Sequence, residues 1–309
     1  MQSNIKIKVV GVGGSGGNAI SRMMKCKIKG VELIAVNADG QDLKKAKAHC
    51  KIRIGRELTK GLGTGMNPEI GKKAAEEQRE EIVQALSGAD MVFITCGLGG
   101  GCGGGASPVV AGIAKDLGAL TLAVVTKPFS FEGLQRAEVA EECRKKLKEK
   151  VDTLIVVSND KLSLILDPEA TISNAFWSCD EILRQAVQGI SDLIVLPGII
   201  NIDFAAVKSI MKDSGSALFG IGTASGHERV KEAVAKALGS PLLGVSCKGA
   251  KGVLFNVSGG KDIALAEVDQ AAKIITQEVS PEAKIIFGAI QNEKLKKGEI
   301  KITVIATGF

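Results

Sequence analysis

Two dense runs of glycine constrain this chain more than any other feature in it. The first reads Gly11-Val12-Gly13-Gly14-Ser15-Gly16-Gly17-Asn18 and the second Gly97-Leu98-Gly99-Gly100-Gly101-Cys102-Gly103-Gly104-Gly105. Each stands between a short apolar run and a helical pattern, where glycine lets the backbone approach a pyrophosphate and the following helix offers N–H groups and a partial positive charge. The first run alone is a weak signal. It contains G-x-G-x-x-G at Gly11, Gly13 and Gly16, with Asp39 beyond the second strand, which equally fits a dinucleotide-binding Rossmann domain. The second run argues against that reading, because a Rossmann oxidoreductase has no need of another glycine loop after a later strand. Two strand-to-helix glycine loops on one sheet imply a polyphosphate held from two sides. The pattern G-x-x-x-x-G-K-S/T is absent, so a P-loop enzyme is excluded.

The surroundings of both runs alternate between short apolar segments and helical patterns, the sign of a doubly wound, mainly parallel α/β sheet. Strands are expected over Ile5–Val10, Val31–Val36, Met91–Cys96, Ala119–Thr126 and Thr153–Ser158, with helices beginning near Gly17, Pro68, Ser107 and Phe131. From about Ser173 to Leu193, apolar residues recur at three- and four-residue steps, which predicts one long amphipathic helix. Pro197 and Gly198 break that pattern, and a second, smaller α/β region follows. Its strands are expected near Leu218–Thr223, Gly252–Val257, Lys284–Ala289 and Glu299–Ala306, the last two forming an antiparallel hairpin through Asn292–Gly298. The expected organisation is a nucleotide-binding domain over 1–172, a central helix over 173–196 and a second domain over 197–309.

Composition excludes several functional classes. Aromatic residues make up 3% of the chain, too few for stacking platforms along a nucleic acid, and the net charge of +6 is spread through mixed runs rather than gathered in a basic stripe. The seven cysteines form no C-x-x-C pair and the only histidines are His49 and His227, which argues against a metal site or a disulfide framework. The amino terminus is polar and has no charged, apolar leader, so the expected location is the cytoplasm.

The run Gly99–Gly105 resembles the G-G-G-T-G-T-G signature of the tubulin/FtsZ family, with Cys102 and Gly104 where the family has threonines. The resemblance extends along the chain through Gly61-Leu62-Gly63-Thr64-Gly65, Lys127–Gly133, Val187–Ile190, Asn201–Phe204 and Ile305–Phe309. It implies a GTP-binding, filament-forming cell-division protein, found at the division site, with nucleotide at each head-to-tail junction and GTP or GDP as ligand, Mg2+ accompanying GTP. Gly14, Ser15, Gly16, Gly17 and the stretch Gly101, Cys102, Gly103, Gly104, Gly105 would hold phosphates. Thr64, Gly65 and Met66 would lie near the terminal phosphate, and Glu132 and Arg136 would reach ribose and phosphates from one helix face. Asn18, Asn159 and Asp180 would read the guanine edge, whose N1–H and N2 donors need acceptors and whose O6 needs a donor. Phe176 would stack on the base, although it also fits the apolar stripe of the long helix.

The family's catalytic loop enters the neighbouring subunit's nucleotide pocket, where two carboxylates of an N-x-D-F-A-D pattern orient the attacking water. Here the loop reads Asn201-Ile202-Asp203-Phe204-Ala205-Ala206, so Asp203 is present and Ala206 replaces the second carboxylate. Water-orienting groups supply about a hundred- to ten-thousandfold in rate, so slow turnover is expected. Asp203 also fits a helix cap, a role compatible with the catalytic one. The alternatives are a structural polymer or regulator of the same fold that no longer hydrolyses, and the Rossmann dehydrogenase. Family members attach to membrane-anchor proteins through a peptide beyond the final strand, which would lie past Phe309.

Overall fold

The computed structural model describes residues 5–163, 171–239, 247–292 and 295–309. Two compact units divide it, Met1–Ser191 and Asp192–Phe309, and the division falls inside the long helix.

In the first unit, β1 (Ile7–Val12) leads into α1 (Gly13–Lys25), followed by β2 (Val31–Asn37), α2 (Gly40–Lys45) and β3 (Cys50–Arg53). Next come α3 (Pro68–Glu77), α4 (Arg79–Leu86), β4 (Met91–Gly97), α5 (Gly101–Asp116) and β5 (Leu120–Lys127). A 3-10 turn (Ser130–Glu132), α6 (Leu134–Lys148), β6 (Thr153–Ser158), α7 (Asn159–Ser163) and α8 (Ile172–Val195) follow. Strand order is β3-β2-β1-β4-β5-β6, with every pairing parallel. The chain runs outward from β1 through β2 to β3, then returns and runs the other way from β4. The order therefore reverses between β1 and β4, and a crevice opens at their carboxyl ends. Both glycine runs follow these two strands.

The strands are close to continuous apolar segments because helices cover both faces. Val10, Val12, Ile34, Val36, Val92, Ile94 and Val125 pack with Ala74, Ile82, Val110, Ile113 and Leu147 of the helices in one core. Of the sequence expectations, β1 lies two residues later than Ile5–Val10. Helix starts shift more. α1 begins at Gly13 and α5 at Gly101, inside the glycine runs rather than at Gly17 and Ser107. Glycine is a poor helix former, and tertiary packing overrides that preference. A Cβ at Gly105 would meet the Pro68 carbonyl oxygen at 2.0 Å, and one at Gly71 would meet the Gly101 carbonyl oxygen at 2.2 Å. α3 and α5 can cross this closely only with glycine at the crossing. The helix expected at Phe131 starts at Leu134, because Gly133 has φ of 101° and separates the 3-10 turn from it.

α3 opens as expected, with Asn67 accepting the N–H groups of Glu69 and Ile70 and Pro68 in the first turn. α8 carries the expected apolar stripe, with Cys179, Ile182, Leu183, Ala186, Val187 and Ile190 buried.

In the second unit, α9 (Phe204–Met211) precedes β7 (Gly215–Ser225), α10 (Arg229–Leu238), β8 (Gly252–Gly259), α11 (Leu265–Gln277), β9 (Lys284–Gln291) and β10 (Glu299–Thr307). The expected β9–β10 hairpin is not formed. β10 lies antiparallel between β7 and β8, and β9 pairs in parallel with β8. Residues 293 and 294 of its proposed connection lie outside the described residues. Burial explains the order. Ile300, Ile302, Val304, Ile305 and Ala306 of β10 are buried, as a central strand requires, whereas β9 is exposed over much of its first half. Arg229 ties this unit together by pairing with Asp262 at 2.7 Å and Glu267 at 2.6 Å. Among the described residues no helix is long and apolar enough to cross a membrane.

The glycine crossing can be separated from ordinary helix propensity within α5 itself. Gly105→Ala should destabilise the fold by about 1–3 kcal/mol through overpacking. Gly112, where an added Cβ meets nothing within 4 Å, should gain about 0.5–1 kcal/mol on substitution by alanine. Urea unfolding midpoints of the two variants check the pair, and equal shifts would remove the crossing as the cause.

Candidate nucleotide site

The crevice at the carboxyl ends of β1 and β4 is a cleft of about 360 Å³, within the range of small-ligand sites. α1 and α5 both begin in it. Neither helix has a side-chain cap, and neither has an acidic residue in its first turn. α2 and α3 nearby are capped by Asp39 and Asn67. The first N–H groups of a helix have no partner inside the helix. Two uncapped helix starts in one cleft therefore present donors and two partial positive charges to whatever enters it.

Of the residues singled out in the sequence, Gly14, Ser15, Thr64, Gly65, Gly101, Cys102, Gly103, Glu132, Arg136, Asn159, Phe176 and Asp180 line the cleft. The others lie elsewhere. Gly16 is turned into the fold, where a Cβ would meet the Thr95 carbonyl oxygen at 2.5 Å. Gly17 and Asn18 line a side cavity of about 110 Å³ that shares Gly13, Gly14, Asn37 and Asp42 with the cleft. Met66 is exposed at a φ of 62°. Gly104 and Gly105 belong to the packed side of α5. A Cβ at Gly104 would meet the Cys143 thiol sulfur of α6 at 2.4 Å. Loss of a threonine hydroxyl from the cleft therefore concerns Cys102 alone. Burial pushes the Cys102 thiol up to about 11, so it stands in the glycine loop uncharged.

The 3-10 turn places Glu132 outside α6 rather than on one helix face with Arg136, and the two pair with each other at 3.1 Å. The other Glu132 oxygen accepts the Phe129 N–H at 2.8 Å. Arg136 Nε is buried with no hydrogen-bond partner. At the opposite end Asn159, only 4% exposed, leaves its Oδ1 without a partner. Asp180 lies 3.6 Å from Arg22 Nε across α1. Burial pushes the Asp180 carboxyl up to about 6, against the opposing pull of Arg22. Phe176 is 41% exposed and meets Phe129 edge-on at 5.4 Å. It thus stands apart from the buried stripe of its helix and offers a ring to the cleft.

The cleft also includes Asn37, Asp39, Asp42, Leu62, Gly63, Thr126 and Pro128, which sequence reasoning did not assign to this site. Their signal is positional: Asn37 and Thr126 end or nearly end β2 and β5, the strands flanking β1 and β4. Asp39 accepts the N–H groups of Gln41 and Asp42 at 2.8 and 3.0 Å. That cap engages Oδ1 of the carboxylate on which the dinucleotide reading depends. Among the described residues of the lining, Asp39, Asp42, Glu132 and Asp180 stand with Arg136 as the one cation, so a bound anion would draw largely on backbone donors.

Asn201 and Asp203 belong to the second unit. Asp203 caps α9, accepting the Ala206 N–H at 2.6 Å, and Asn201 accepts the Gly198 N–H at 2.7 Å. Both are exposed. The helix-cap role of Asp203 is thereby observed.

Comparison with known proteins places these features in a family. Residues 6–167 match the family model for the GTPase domain of the tubulin/FtsZ family, and residues 215–309 match that for the C-terminal domain of the FtsZ family. A solved FtsZ dimer from M. jannaschii, described as empty, is 46% identical over 100% of this chain and 89% of its own, with a TM-score of 0.95. Two Haloferax volcanii proteins share the fold at lower identity. CetZ2, as a GTPγS-bound protofilament, is 21% identical with a TM-score of 0.80, covering 98% of this chain and 92% of its own. CetZ1, as a GDP-bound monomer, is 20% identical with a TM-score of 0.85, covering 99% and 94%. With two uncapped helix starts at the switch point of its sheet and both family models matched in order, the chain belongs to the tubulin/FtsZ family of GTPases.

Proposed function

We propose that the chain binds guanine nucleotides in this cleft, assembles head to tail as a filament-forming cell-division protein, and hydrolyses GTP slowly where one copy meets the next. The convergence of two uncapped helix starts carries the binding part of this reading. The orphaned Asn159 Oδ1 and Arg136 Nε are buried polar atoms of the kind a ligand satisfies. Gly14, Ser15 and Gly101–Gly103 would hold phosphates through backbone N–H groups, and Asn159 and Asp180 would pair with the base. Phe176 would cover its face. A Mg2+ ion accompanying GTP would screen phosphate charge. Among the described residues no group of three or more His, Cys, Asp or Glu is placed to hold a metal, so phosphate oxygens and water would supply most of its ligands.

Self-association rests on the likeness to the FtsZ dimer and to the CetZ2 protofilament. In such an arrangement Asn201 and Asp203 of one copy would complete the cleft of another, Asp203 orienting the attacking water. Its Oδ1 already accepts a backbone N–H, and Ala206 offers no second acceptor. That observation favours slow hydrolysis, and it also supports a second reading, a polymer of this fold that binds nucleotide without hydrolysing it.

Asp180→Ala should weaken GDP binding roughly tenfold to a hundredfold, as loss of charge-assisted hydrogen bonds does, and leave ADP binding unchanged. Calorimetry with both nucleotides checks this, and equal losses would remove Asp180 from base recognition. The pH dependence has a defined sign. Recognition of guanine N–H donors needs the ionised carboxylate. Since burial raises this group to about 6, GDP affinity should be full above that pH and fall as pH drops through it.

Ala206→Asp should raise turnover by about tenfold or more with little change in nucleotide affinity. The new carboxylate would sit in the first turn of α9, where the helix dipole favours it. Phosphate release per subunit should also climb with protein concentration. Release that is independent of concentration would contradict hydrolysis at a junction between copies, and no gain in the variant would support the non-hydrolysing reading.

A further inference from the structure

Arg22 enters the site so far only as the cation beside Asp180. It belongs to α1, one helix turn past Asn18, and its guanidinium carbon lies 4.4 Å from the centroid of the Trp177 ring. Trp177 is the only tryptophan in the chain and is 53% exposed. On the other side, Arg22 Nε stands 3.6 Å from Asp180 Oδ2, beyond hydrogen-bond reach, and this buried nitrogen has no other partner. Trp177 and Asp180 are three residues apart on α8, so they share a face. The guanidinium therefore bridges α1 to one face of α8, with a ring at one end and a cleft carboxylate at the other.

We infer that Arg22, seated on Trp177, is a positioning residue that keeps Asp180 ionised and aimed into the cleft. The inference rests on the reading of Asp180 as the group that pairs with guanine. A cation over an aromatic face is held without using its N–H donors, so the Trp177 ring can fix the guanidinium while Nε stays directed at Asp180. The gap of 3.6 Å leaves Asp180 attracted to Arg22 while its oxygens remain available to a ligand. A tight two-point pair would have consumed them.

The other charged groups around Asp180 are engaged elsewhere. Glu181, next on α8, accepts from Arg184 Nε at 2.8 Å, and Glu132 of the 3-10 turn is paired with Arg136. Burial pushes the neighbouring Cys179 thiol up to about 12, so it is uncharged. Among the described residues, Arg22 is the one charge that offsets the burial of Asp180. Without it, the carboxyl would hold its proton to higher pH and present an O–H where guanine needs an acceptor.

The test is GDP and ADP affinity from pH 5 to 8 for the intact chain, its Arg22→Met and Arg22→Lys variants, and Trp177→Leu. Removing an adjacent opposite charge moves a carboxyl by about one pH unit or more. Arg22→Met should therefore shift the acid limb of GDP binding upward by about that amount, while Arg22→Lys, which keeps the charge, should hold the limb near its original position. Trp177→Leu alters a half-exposed side chain and should move the limb in the same direction as Arg22→Met, by less. It decides the matter if Arg22→Met does not fold, as thermal melting will show. A purely structural Arg22 would lower stability and leave the limb in place, and that result overturns the inference. If the unaltered chain binds GDP and ADP alike, the guanine reading itself has failed; if it discriminates and the Arg22 and Trp177 variants do not move the limb, only the positioning role has.

Discussion

Everything in the first unit is arranged around two helix starts held open at the point where the sheet reverses direction. β1 and β4 are neighbours, yet the chain leaves them toward opposite edges, so a cleft opens at their carboxyl ends. α1 and α5 begin there without caps or acidic residues. Unpaired N–H groups at a helix end are costly when buried away from water, and an anion is the partner that fits both their geometry and their partial charge. Among the described residues the cleft lining holds Asp39, Asp42, Glu132 and Asp180 against Arg136, so much of that attraction falls to backbone donors.

This arrangement dictates much of the local sequence. To bring α5 to the cleft, the fold presses its first turns against α3, and Gly71, Gly101 and Gly105 are the residues that allow carbonyl groups to lie where Cβ atoms would otherwise be. Gly104 faces Cys143 in the same way. One glycine run thus serves two surfaces, with Gly101 and Gly103 lining the cleft and Gly104 and Gly105 turned to packing. The other end of the cleft is built differently, from side chains on α7 and α8, where Asn159 Oδ1 is buried without a partner and burial raises the Asp180 carboxyl. In the proposed reading, backbone groups would hold the phosphates and side chains would meet the base.

That division explains what could be read from the sequence. Parallel strands, the cap at Asn67 and the long helix were legible because apolar period and capping chemistry are local. The helix starts were not, since glycine propensity points to a loop, while close packing of α5 against α3 and α6 needs glycine within Gly101–Gly105. The β9–β10 hairpin was expected from proximity in sequence, but burial of β10 puts it between β7 and β8. Of the cleft lining, the glycine loops, Asp180 and Asn159 were expected from motif and family resemblance. Asn37 and Thr126 were missed because their only distinction is standing near the ends of flanking strands, and Arg22 because its contacts join α1 to α8, far apart in sequence.

The central claim is that backbone N–H groups at the two helix starts hold the phosphates of a guanine nucleotide. Amide hydrogen exchange, followed residue by residue on the whole chain with and without GDP, tests it most directly. The account predicts slowed exchange at Gly13–Ser15 and at Gly101–Gly103 when GDP is added, with little change on adding the same concentration of ADP. Unchanged exchange at both loops in the presence of saturating GDP, or equal protection by ADP, would contradict it.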